Sequence, residues 1–537
     1  MALKLSRAKV LRIIALLIFW LLFKFLDPIG LDAAVKAASD RLFTAITMPF
    51  HNFGAEAGRN ATAVVLITDH TVDVWGGIWP ARYSRHARLL EDIVDAKPKA
   101  IFVDYRFVTP RAGDDLHEFD DVLAAADRQG VPLLFTRGEV GNDFPGLPEP
   151  LTSHQTITGW TGSRAVYYLA VDAEGKGTSE FEGSEHTFLA AFDLFRRLCE
   201  RSTFKNCRGW DNPEHFSQPI LVRHGLDLDD KQSLALDVSN CGKFAGGLQR
   251  LWQAMSISAG VLTERFRLND IAQHCPTTLT IPGEEVSHSA RDGSGTPLSS
   301  LLAGKVVFYG DDRRAEHDVV EVAHRGEVPG VMVTAAAFEN LVTYGSQYFR
   351  QPRTIIHWPF EANAEDLAEL IIWLGLVVFF VMQDKSNRTL KVVPAQRWKS
   401  RTRRWALPAI AVLGFAAIAF YDGSNRGSEN LTPGVVAMGT LLYAVAAMVV
   451  VFVCRRWSVY SHSFFGGILI LTALSIILFV INENFIHWPN GDWLGLVLLF
   501  LALREALEVE HGGFVAELES GFYRLARSLT RHSADVE

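Results

Sequence analysis

Two short runs of branched and aromatic residues, separated by one amphipathic helix and each stopped by an aspartate, limit what this chain can fold into. Val64 to Ile67 runs up to Asp69, and Ala100 to Val103 runs up to Asp104. Continuous apolar runs of this length suit strands buried on both faces. Between them a Gly- and Trp-rich turn, Trp75 to Pro80, leads into Ala87, Leu90 and Val94 at helical spacing. Lys97-Pro98 closes that helix, because a residue before proline is pushed out of the helical region. The unit predicts two parallel strands, neighbours in one sheet, with a carboxylate at the end of each. Ligands of open parallel sheets collect at the carboxyl ends of the strands.

Further elements extend the same pattern. Asp115 to Arg128 reads as a helix, with Leu116, Phe119, Leu123 and Ala126 on one face. Strands are expected at Val131 to Thr136, Val166 to Val171 and Val306 to Tyr309, the last followed by Asp311 and Asp312. His186 to Cys199 and Val331 to Tyr344 carry helical stripes, the second entered through Pro329-Gly330. Residues 200–293 read as an elaboration, with short strands at Ile220 to Arg223 and Thr277 to Ile281 and a helix over Leu248 to Arg267. The expected fold class is therefore α/β with a mainly parallel sheet, joined to an α-helical membrane bundle.

The bundle follows from charge and hydropathy. Lys4, Arg7, Lys9 and Arg12 precede an apolar run, Ile13 to Leu26, that suits an uncleaved anchor or a cleaved signal; a clear cleavage site is lacking, which favours the anchor. Five further apolar runs start near Leu367, Trp405, Val435, Phe464 and Trp493. The loop Lys385 to Arg404 holds eight basic residues against Asp384, and Arg455-Arg456 marks a second basic loop. Basic loops stay in the cytoplasm, so both termini fall inside and the α/β domain outside. The expected organisation is an anchor over 1–29, an extracytoplasmic domain over 30–365 elaborated at about 150–300, five spans over 366–504 and a short cytoplasmic tail over 505–537. The basic loop suits anionic lipid headgroups, with a protein partner as the alternative. The tail carries Phe514, Leu518, Phe522, Leu525 and Leu529 at helical spacing and is too short for a catalytic output domain.

A formal net charge of -8 argues against general nucleic-acid binding. Cys199, Cys207, Cys241 and Cys275 fall in the exported region, which suggests two disulfides. Cys199–Cys207 with Cys241–Cys275 is the preferred pairing of the three connectivities, and four reduced core thiols are the alternative. No Cys/His spacing marks zinc, and His317, Glu321 and His324 do not follow a metalloprotease order, so neither metal nor cofactor is expected. No nucleophile–base pair, nucleophile elbow or phosphate loop stands out, so no catalytic residue is assigned and no enzyme expected.

The candidate ligand residues are the strand-end carboxylates Asp69, Asp104 and Asp311, together with Asp121, Trp79 and Arg82. Each carboxylate has a plainer reading as a turn or helix cap. Trp79 more simply packs over the sheet, and Arg82 either joins the pocket or pairs with a strand-end aspartate. Asp114-Asp115 and the run Asp311 to Arg314 read as solvated turns.

Several of these pieces, in order, resemble the CHASE2 sensor domain of bacterial membrane receptors: VVLITD from Val64, the W-P-x-R of Trp79, Pro80 and Arg82, KAIFVDYRF from Lys99, the acidic helix containing Asp120 and Asp121, GKVVFYG from Gly304 and PGVMVTAAAFENL from Pro329. Thr334 stands where members often carry a histidine. The resemblance implies an extracytoplasmic ligand sensor between membrane helices, commonly feeding a kinase or cyclase. Five spans and no recognisable output domain depart from that plan. Two functions then stand: a sensor that signals through its membrane helices to a separate protein, or a structural or effector subunit, with a docking or homo-oligomerisation domain and a bundle that forms part of a membrane complex or pore, with an enzyme a distant third. The small ligand and the partner are not named by the sequence.

Overall fold

The computed structural model describes residues 57–107, 114–138, 147–158, 166–172, 174–178, 186–201, 204–225, 228–238, 241, 275–286, 297–313, 319–322, 326–349, 354–356 and 362–363, with residues 18 and 48. The five apolar runs from Leu367, the basic loop after Asp384, the tail, the helix expected over Leu248 to Arg267, His317 and His324 lie outside the described residues, as does all but residue 18 of the first run. Among the described residues no helix is long and apolar enough to cross a membrane.

The domain is built on six strands: β1 (Thr62–Ile67), β2 (Ala100–Val103), β3 (Leu133–Thr136), β4 (Gln155–Thr156), β5 (Leu279–Pro282) and β6 (Val306–Asp311). Every pairing in this sheet is parallel, in the order β5-β1-β6-β2-β3-β4. The strands before Asp69 and Asp104 therefore point the same way but are not neighbours. Val65 pairs with Tyr309, and Tyr309 pairs with Val103, so β6 fills the place between them. Consecutive strands are adjacent only about two-thirds of the time. With all six residues buried, β6 has the apolar content that the sheet centre requires.

Helices cover both faces. The labels used below are α1 (Ala57–Ala61), α2 (Asp69–Val74), α3 (Tyr83–Asp95), α4 (Asp120–Gln129), α5 (Ala190–Glu200), α6 (Gly283–Val286) and α7 (Gly330–Tyr344). Alternate residues of a strand point to opposite faces. Ala63, Val65, Ile101, Val307 and Tyr309 meet α2, α3 and α4, whereas Val64, Phe102 and Phe308 meet α5 and α7. Because α7 is apolar nearly all round, it is buried nearly all round. Its polar side chains are keyed individually. Thr278 Oγ1 donates to Glu339 at 2.6 Å, and the Asn340 amide bonds both backbone groups of Arg223.

Several elements differ from the sequence reading. The run Val166 to Val171 splits: Val166–Tyr167 pairs antiparallel with Ile220–Leu221, and Ala170–Asp172 lies in a separate three-stranded antiparallel sheet. That sheet takes His186–Phe188 as a strand, so α5 starts only at Ala190. The first turn expected at Asp115 is a 3-10 turn, Leu116–Phe119. Within the supposed elaboration, β5 is an integral strand of the main sheet.

The β5 edge is closed by a side chain. Gln232 Oε1 accepts from Thr280 N and Gln232 Nε2 donates to Thr280 O, both at 2.8 Å, as a neighbouring strand would. Gln232→Leu leaves two buried backbone groups unpaired and should cost about 2 kcal/mol or more in urea unfolding.

At the other end of the strands, Lys305 Nζ donates to Asn60 O at 2.9 Å and sits 3.5 Å from the Asp229 carboxylate. Burial lowers its pKa from the ordinary 10.5, and Asp229 offsets this only in part. In the window between the lowered value and 10.5 the unfolded chain holds the proton that the folded chain has released, so stability from this group rises with pH there. Unfolding midpoints measured across that window in the parent and in Lys305→Met should show the rise in the parent alone.

Candidate functional site

The carboxyl edge of the central strands carries a cluster of aromatic rings around one buried ion pair. Asp311 is the last residue of β6, and two residues later Arg313 folds back onto it. Arg313 Nε lies 3.0 Å from both Asp311 oxygens and Nη2 lies 2.5 Å from Oδ2. The two side chains are only 4% and 7% exposed. The same guanidinium lies 3.2 Å above the Trp79 ring. One cation thus joins a carboxylate and an indole face, a geometry that suits the planar, weakly hydrated guanidinium better than an ammonium.

Behind Trp79 stands His86, wholly buried on α3. Tyr105 stacks on it with ring centroids 4.8 Å apart, and Trp75 and Trp79 meet it edge-on. Tyr309 Oη is hydrogen-bonded to His86 Nδ1 at 2.6 Å. Burial, with smaller contributions from Tyr105 and Asp311, pushes the Tyr309 hydroxyl well above its ordinary pKa, so it stays protonated at neutral pH. The cluster continues through Phe107 to Tyr83 and Phe119.

The entry to α3 is set from outside the helix. Both oxygens of Asp114 accept from Tyr83 N, at 2.7 and 2.9 Å. Asp114 is thus a cap rather than a free turn residue, worth about 1 kcal/mol. The pair Asp311–Arg313 is likewise buried, not a solvated turn, although Asp312 between them is exposed.

The sequence-derived candidates divide. Trp79 and Asp311 enter the cluster, each through Arg313. Asp104 stands half-buried one residue beyond β2, and its backbone N–H donates to Tyr309 O at 2.7 Å. Asp69 is exposed in the first turn of α2; the strand ends before it, and Thr68 caps the helix through a reciprocal pair of bonds with Thr71. Asp121 is exposed in the first turn of α4, where a carboxylate suits the helix dipole. Arg82 is exposed at the N-cap position of α3, and the partner of the strand-end aspartate is Arg313 instead.

Sequence reasoning gave no site role to His86, Tyr105, Tyr309 and Glu284, and it took Arg313 for part of a solvated turn. His86 was detectable, because it lies four residues before Leu90 and seven before Ile93 on the buried stripe of α3. Glu284 follows the apolar run Leu279–Pro282 as an acid at a strand end, and it accepts from Thr71 Oγ1. Among the described residues no group of acids, histidines and cysteines could hold a metal ion. Away from this edge, disulfides join Cys199 to Cys207 and Cys241 to Cys275, with Cα atoms 5.2 and 5.7 Å apart.

No curated protein and no solved structure matches the chain. The CHASE2 domain model matches residues 12–379, well over half of the sequence and all of the sheet. With β1, β2, β6 and α7 carrying the segments that resemble that domain, the chain belongs to the CHASE2 family, a family of extracellular sensor domains.

Proposed function

We propose that this protein is a membrane-integrated sensor whose α/β domain stands outside the cytoplasmic membrane, receives its signal at the carboxyl edge of the sheet and passes it through the membrane helices to a separate protein. The observation that carries the reading is the course of α7. At its start, Val331 lies against Gly310 beside the ion-pair cluster, where a Cβ on Gly310 would come within 2.6 Å of Val331. Towards its end, Thr343 Oγ1 accepts from Gly58 N at 3.1 Å, so α7 seats α1, the helix through which the chain enters β1. One rigid, buried helix thus links the candidate site to the edge from which the chain runs toward its apolar segments. A ligand that favours one position of β6 would favour one position of α7, which is all that a population shift needs. The cluster acts in this reading by binding, with no catalytic role.

Gly310→Ala tests the coupling. It should destabilise the domain by about 1–3 kcal/mol and raise amide hydrogen exchange in α1 as well as around Val331. Leu123→Ala, of comparable cost on the opposite face, should leave α1 exchange unchanged. Equal effects of the two on α1 would remove α7 as the relay. Sidedness is tested by an impermeant maleimide on Asp121→Cys in intact cells; labelling only after lysis would overturn the extracytoplasmic placement.

A further inference from the structure

We infer that the pocket at the C-terminal end of α7 binds a phosphate-bearing anion, and that this anion holds the end of the relay helix. The inference rests on the sensor reading for its biological setting. The pocket itself stands on geometry. It is an open pocket of about 440 Å³ lined by Lys205, Arg208, Thr343, Tyr344, Ser346 and Gln347, with Asn206 and Gly345 between them. That volume suits a small ligand or a headgroup. Two basic residues and several that carry hydroxyl or amide groups line it, and no carboxylate is among its lining residues.

A helix C-terminus ordinarily repels anions, since its last carbonyls are unpaired. Here three of them are covered. Gly345 N donates to Leu341 O, and Asn206 Nδ2 donates to Val342 O at 3.1 Å and to Thr343 O at 2.6 Å. The segment that supplies Asn206 also carries Lys205 and Arg208, and the Cys199–Cys207 disulfide ties it to α5. Gly345, with φ +57°, lets this segment approach; a Cβ there would meet Asn206 O at 2.5 Å. The cations are therefore held on a braced loop over a neutralised helix end.

The pocket opens on the same edge as α1, opposite the aromatic cluster. Phosphate there comes either from an anionic lipid headgroup or from a soluble phosphate ester. The full chain in nanodiscs separates the two sources, with hydrogen exchange at 204–208 and 343–347 as the readout. Phosphatidylglycerol-containing discs should slow exchange there relative to phosphatidylcholine discs, which assigns a headgroup. Slowing by inorganic phosphate in phosphatidylcholine discs assigns a soluble source and likewise supports the anion site. The Lys205→Gln/Arg208→Gln variant should weaken the lipid effect about 30-fold, the factor two basic side chains contribute near an anionic surface, and should weaken the phosphate effect as well. Slowing in neither arm, or slowing unchanged in the variant, overturns the proposal. The phosphate arm does not depend on where the domain lies, so failure of the sensor reading shows in the sidedness test and failure of the pocket shows here.

Discussion

Arg313→Ala should cost about 3–5 kcal/mol, because it strands the Asp311 carboxylate in a site with almost no solvent. Three bonds to Asp311 are lost together with the stack on Trp79. Arg313→Lys keeps the charge but not the fork, and should fall between the parent and the alanine variant. Arg82→Ala, at an exposed position, should stay within about 0.5 kcal/mol. Urea unfolding followed by tryptophan fluorescence reports all three, since Trp75 and Trp79 both belong to the cluster. A cost for Arg313→Ala no larger than that of Arg82→Ala would mean that the pair does not organise this edge.

Loss of the Cys241–Cys275 disulfide should be nearly as severe. Its partners are 34 residues apart, against 8 for Cys199–Cys207. Chain-entropy arguments give about 3.8 kcal/mol for the longer loop and about 2.6 kcal/mol for the shorter. Cys241 follows the segment whose Gln232 closes the β5 edge, and Cys275 leads directly into β5. The longer disulfide therefore tethers the outer strand of the main sheet. Paired Cys→Ser variants compared in urea should rank in that order, with the longer loop the more costly. The opposite ranking would show that the shorter loop, which braces the end of α7, carries more of the native packing.

Local elements were legible because their signals are local. A run such as Val64 to Ile67 needs two covered faces wherever it lies in the sheet, and α3 displays its buried face in its own spacing. Gly310, Asp114 and Arg313 gave no comparable signal. The first matters through Val331, the second through Tyr83 N and the third through the Trp79 ring. None of these partners is marked by the neighbours of the residue in the chain.

The α/β class, the direction shared by β1 and β2, and the family are all legible in the chain, since each rests on short-range periodicity and on ordered segments read along it. Only folding in three dimensions places β6 between those strands, adds β5 to their sheet, and brings Arg313 rather than Arg82 to the strand-end carboxylate. Strand order and side-chain convergence depend on which distant segments bury one another, and that competition is resolved only when the whole core closes.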